Sequence, residues 1–170
     1  MILQPSLPMF FADTLQLSYT GLLTALVMCK GVGFAMTMPW WVKFFKKRDI
    51  FHYSSIVTII AALFPLTLLI SQFNILFLYF AYLVYGVMQA GSDLSWNMSG
   101  PIFAKEEDST HFTGTNILLV GIRGCFIPAL GALLYSTTSS IVVMIIGALL
   151  CLFATYYFLK SKRILSSQLL

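Results

Sequence analysis

A chain of 170 residues that is 59% hydrophobic and only 9% charged, with a mean hydropathy of +0.89, cannot cover itself with a polar surface in water. Its apolar surface must face lipid, and because the apolar residues come in long unbroken runs without strand-like alternation, the spans are helices and not a β-barrel. The net charge of +4 is no nucleic-acid footprint, since the few basic residues lie mostly at the ends of apolar runs.

The chain starts Met-Ile-Leu-Gln-Pro-Ser-Leu-Pro, with two early prolines and no basic segment, which argues against a cleaved signal peptide. A hydrocarbon layer about 30 Å thick needs roughly 20 helical residues. The first run that meets this covers residues 17–41, and a short, strongly basic loop follows. The second span covers 51–70 and ends in the uncharged turn Ser71-Gln72-Phe73-Asn74. The third covers 75–93, with its polar end marking where the chain leaves lipid for a long loop of mixed charge. The fourth covers 115–135, and after an uncharged turn at 136–140 the fifth covers 141–159. The expectation is an all-α, polytopic transmembrane bundle of about five spans, forming a single domain.

Basic residues orient such a bundle. Lys43, Lys46, Lys47 and Arg48 follow the first span, Lys105 the third, and Lys160, Lys162 and Arg163 the fifth. With five spans all three places fall on one side. The reading is a cell-membrane protein (the inner membrane in a bacterium), its N-terminus outside and its C-terminus in the cytoplasm. Trp40, Trp41, Phe51, Tyr53, Tyr135, Tyr156 and Tyr157 cluster near span ends as an aromatic belt would.

Several local patterns then align with one family. Leu15-Gln16-Leu17-Ser18-Tyr19-Thr20-Gly21 opens the first span. Gly31-Val32-Gly33 leads to the basic run Pro39 to Arg48, which keeps the charge of the family's G-x-x-x-D-R-x-G-R-R loop but has Val42 in place of its glycine and lacks its acid. A tight turn and helix run from Asn74 to Asp93, and Ile122-Arg123-Gly124 precedes Pro128-Ala129-Leu130-Gly131. In this order the chain resembles the C-terminal half of a major facilitator superfamily transporter. The resemblance covers nearly the whole chain and implies a half of six helices, with the first reduced to residues 1–12. It also implies alternating access for a small solute, a midplane site between two halves, and a separate N-terminal half as partner.

Within this frame Lys30 and Arg123 stand out, each near the middle of a predicted span. A charge at that depth costs about 2.5–3.5 kcal/mol on insertion scales. One reading points both into a translocation path, where two cations without a nearby acid favour an anionic solute such as a carboxylate or phosphate ester. The other pairs each with an acid of a partner half, or lets it snorkel to the interface. Gly114, Gly121, Gly124 and Gly131 fall within an arc of roughly 100° and present a smooth packing face. Pro128 removes a backbone donor from the same helix. Asp93 and Gln89 read as helix-end polar residues or as part of a gate. Glu106, Glu107 and Asp108 read as a solvated loop, and Cys29, Cys125 and Cys151 as small packing residues. His52 and His111 are singletons without a nucleophile or metal spacing, and no P-loop, Rossmann fingerprint or nucleophile elbow occurs. No cofactor and no enzyme activity is expected. The competing reading is a membrane interaction protein, or a remnant without transport.

Overall fold

Three of the helices begin where a polar side chain takes up a free backbone N–H. Ser18 accepts from the Gly21 N–H at 3.2 Å, Asp49 from Phe51 at 3.2 Å, and Asn74 from Leu76 at 2.9 Å. In the computed structural model, residues 2–47, 49–104 and 110–168 are described, the last six as backbone alone. A short helix α1 comprises Leu7–Met9 and its continuation Phe10–Thr14, whose wider turns close with i→i−5 bonds such as Leu15 N–H to Phe10 C=O. Helix α2 covers Tyr19–Phe45, α3 Ile50–Ile70, α4 Leu76–Ala104, α5 Thr110–Thr137 and α6 Ser140–Gln168. The architecture is all-α.

Four helices are long and apolar enough to cross a membrane: α2, α3, α5 and the Ser140–Lys162 part of α6. The chain is therefore a multi-pass membrane protein whose apolar helices face lipid. Helix α4 is long enough at 29 residues, but a stripe of polar side chains makes it less apolar than the others. The sequence reading ends this span at 93 and opens a loop there. The helix instead runs on to Ala104, because its polar residues collect on one face and the backbone bonds continue beneath them. Glu106, Glu107, Asp108, Lys105 and Arg48 lie outside the described residues.

Helix α4 is central. It packs against α2 on one side and α3 on another, and α3 packs in turn on α6. Helix α5 touches α4 and α6 only narrowly. The pairings give directions. Gly33 meets Leu83 and Gly86, and Trp41 meets Val87 and Gly91, so α2 and α4 run parallel. Phe51 lies by Phe103, Ser54 by Ser95 and Phe64 by Tyr82, so α3 runs antiparallel to α4. Asn116 reaches Ser99 while Arg123 lies over Trp96, so α5 is antiparallel to α4 as well. Thr58 bonds Thr155, and Phe158 shares a cavity with Ile50 and Phe103. Lys43, Lys46, Lys47, Lys160 and Lys162 consequently gather at one end of the bundle. The turns at 71–75 and 138–139, at the other end, carry no charge.

Lipid tails are as apolar as leucine, so helices in a membrane associate through close packing and hydrogen bonds rather than through a hydrophobic drive. Both devices are visible. Cβ atoms placed on Gly33 or Gly86 would collide with the Leu83 carbonyl and the Lys30 carbonyl respectively, so these glycines set how closely α2 and α4 approach. Trp41 donates Nε1–H to the Val87 carbonyl at 2.8 Å, and Tyr53 donates its hydroxyl to the Gly91 carbonyl at 3.0 Å. Trp41 and Tyr53 are fully buried, so they are core residues and not interfacial anchors. A second apolar cluster joins Phe10 and Phe11 of α1 to Phe64, Leu68, Leu78 and Tyr82.

Candidate functional site

Helix geometry concentrates the polar residues of α4. Tyr85, Gln89, Ser92, Asp93, Trp96 and Ser99 all fall within an arc of about 120°, running down its length. Asp93 and Gln89 are thus not helix-end residues, since the helix continues eleven positions beyond Asp93. They sit in its middle, on the face that the two intramembrane cations approach from either side.

Lys30 approaches from α2. The turn before it, Thr24–Cys29, is π-helical, and the Lys30 N–H bonds the Ala25 carbonyl five residues back. This wider turn rotates the residues after it relative to a plain α-helix, and such bulges often occur at functional positions. The Lys30 ammonium lies 5.2 Å from the centre of the Tyr85 ring, a cation–π distance. It lines a cavity of about 370 Å³ with Leu26, Phe34, Gln89 and Asp93. The Gln89 Oε1 atom is buried there without a hydrogen-bond partner among the described residues.

Arg123 approaches from α5, with its guanidinium carbon 5.3 Å from the centre of the Trp96 ring. It lines a second cavity, of about 500 Å³, between α3, α4, α5 and α6. Ser54, Thr58, Ser92, Ser95, Ser99 and Asn116 line this space. Phe51, Trp96, Phe103 and Phe158 form apolar walls. Among the described residues that line it, none is acidic.

The two cations do not share a cavity. Tyr85 and Trp96 are eleven residues apart, about 16 Å along α4, and each cation lies over its own ring. The sequence reading of an anionic solute rests on the absence of an acid near the cations: among the described residues none lines the Arg123 cavity, whereas the Lys30 cavity includes Asp93.

The glycine face of α5 behaves differently from its reading as a helix-packing surface. Among the described residues, Gly114, Gly121 and Gly124 have nothing within 4 Å of where a Cβ would stand. Gly131 alone is close-packed, against the backbone carbonyl of Ile2, which is not a helix partner of α5. Pro128 lies three residues before it and removes the N–H that would bond the Gly124 carbonyl. Of the three thiols, Cys125 is exposed and Cys29 and Cys151 are half-buried. Among the described residues no three metal-ligating side chains come together.

The sequence reading takes Ser92 and Ser95 only as marking where the helix leaves lipid, and it does not single out Ser99, Asn116 or the close-packed Gly86. The polar arc was legible: the stripe from Tyr85 to Ser99 has helical spacing, once a helix is allowed to continue past Asp93. No known family, curated protein or solved structure matches this chain.

Proposed function

We propose that the chain moves a small solute across the membrane, as one helix bundle of a secondary transporter of the major facilitator type. The observation that carries this reading is the polar arc of α4, set in the middle of the bundle with a cation over each of two open cavities. Charged residues at membrane depth are costly and usually face a cavity or a partner. A second bundle, facing the uncovered side of α5, would complete the path, and rocking of one bundle against the other would expose it alternately. The collection of basic residues at one end supports placing that end in the cytoplasm. Counting α4 as a fifth span puts the N-terminus outside.

The test is uptake. The chain, expressed with its genomic neighbour, is screened against labelled solutes, and Lys30→Met and Arg123→Met are compared for both uptake and membrane insertion. Loss of uptake with intact insertion supports the path; unchanged uptake in both variants rejects it. A second reading, a membrane assembly protein, is favoured by the uncovered glycine side of α5. It predicts a stoichiometric membrane partner on gentle solubilisation and no solute uptake.

A further inference from the structure

We propose that the cavity beside Arg123 binds a small organic anion with a flat apolar body, its carboxylate or phosphate held by the guanidinium. The inference deepens the transport reading and rests on that reading's placement of the cavity at membrane depth.

Three observations carry it. The first is an uncompensated charge. Arg123 lies midway along α5, its guanidinium lies over the Trp96 ring, and among the described residues no carboxylate lines the cavity. A guanidinium offers five N–H donors in a fork that matches a carboxylate or phosphate, so the unmet need of this side chain is an anion. The second is a pair of long polar contacts. The Asn116 amide reaches Ser99 only at 3.4 Å, and Ser54 and Ser95 are also 3.4 Å apart. Both distances lie at the long limit for hydrogen bonds, so the Asn116 amide and the Ser54–Ser95 pair have capacity left for a ligand's oxygens, while the Ser99 hydroxyl donates to the Trp96 carbonyl at 2.9 Å. The third is the wall. Phe51 and Phe103 meet edge to face with centroids 6.4 Å apart, and with Trp96 they offer faces and edges on which a flat apolar body can pack.

The three together select among solutes. A cation meets the unpaired charge of Arg123. A neutral solute leaves the guanidinium without a counter-charge. An anion with a ring or other planar apolar part satisfies both the charge and the wall. The Lys30 cavity does not make the same case, because Asp93 already lies in it. An anionic lipid headgroup offers the same chemistry as a dissolved anion, and the experiment must separate the two.

The full chain is purified into phosphatidylcholine nanodiscs, and binding of benzoate and phenyl phosphate is measured by calorimetry and saturation-transfer NMR. Benzamide and benzylamine serve as neutral and cationic comparators. Saturable binding of at least one anion is expected, with neither comparator binding as well. Arg123→Gln weakens it about ten-fold or more, the loss of a hydrogen-bonded charge contact, and Arg123→Lys restores part of it. Ser99→Leu, which fills the cavity and keeps the charge, also weakens binding and serves if Arg123→Gln does not fold. Cys125→Ser, on the far side of α5, leaves binding unchanged. Adding phosphatidylglycerol to the discs separates the sources: displacement of the probe assigns the site to an anionic headgroup, and retention assigns it to a dissolved anion. The proposal is overturned if neither anion binds saturably, if benzamide binds as well as benzoate, or if Arg123→Gln and Ser99→Leu both bind like the unaltered chain. Anion binding without any uptake keeps this site and removes the transport reading, so the two failures are distinguishable.

Discussion

Gly33 and Gly86 hold the α2–α4 crossing at backbone distance, and this makes them the most sensitive single positions in the bundle. A leucine at either must push a carbonyl aside, and overpacking of this kind costs about 1–3 kcal/mol or more. Gly33→Leu and Gly86→Leu should therefore lower the thermal midpoint of the purified chain by several degrees; an unchanged midpoint in both would mean that the helices do not cross there. Lys30 and Asp93 supply a second residue-level prediction. Both half-buried charges line one cavity, and opposite charges at that depth attract, so Lys30→Met and Asp93→Asn should each destabilise. The double variant should lose less than the sum, by at least about 0.5 kcal/mol. Strict additivity would show that the two charges do not sense one another across their cavity. Neither glycine was legible as a contact in the sequence, because a glycine in an apolar run looks the same whether it faces a carbonyl or lipid.

At the scale of elements, α4 and α5 are opposites. Helix α4 has neighbours on several sides, and two of its carbonyls accept side-chain hydrogen bonds from Trp41 and Tyr53. Helix α5 is apolar, long and largely uncovered, and most of its glycine face meets nothing among the described residues. Gly121→Leu should accordingly leave the thermal midpoint of the isolated chain within about a degree, whereas Gly131→Leu, which runs into the Ile2 carbonyl, should lower it. If Gly121→Leu nevertheless abolishes uptake in cells, a partner helix uses that face. A large loss of midpoint for Gly121→Leu would instead place a neighbour against it within this chain. The fourth span was plain in the sequence for the same reason that its surroundings were not: its hydropathy is the same whether lipid or a second bundle covers it.

For the whole molecule the decisive quantity is which ends of the helices lie together. Five Lys residues on α2, α6 and the turn after α2 gather at one end, while the turns at the other end are uncharged. Reporter fusions after Arg48, after Glu107 and at the C-terminus should all report cytoplasm, and an insertion at Asn74 should report the outer side. A mismatch at any one position would overturn the count of five spans. The chain should also require detergent or lipid at every stage of purification. Recovery as a freely soluble monomer would end the membrane reading and every proposal built on it.

Apolar runs of about 20 residues, broken by capped turns and basic loops, determined the helices, the membrane and the sidedness of the charges without reference to any neighbour, because bilayer thickness and backbone hydrogen bonding act on each segment by itself. The sequence also singled out Lys30 and Arg123, since a lone charge inside an apolar run is visible locally. Only the tertiary structure decided what each cation meets. Among the described residues it set Lys30 in one cavity with Asp93 and Gln89, gave Arg123 a cavity lined by serines and a threonine with no acid, and left most of the glycine side of α5 bare. Those outcomes depend on the rotation of one helix against another, which close-packed glycines and a π-helical turn set through contacts far apart along the chain.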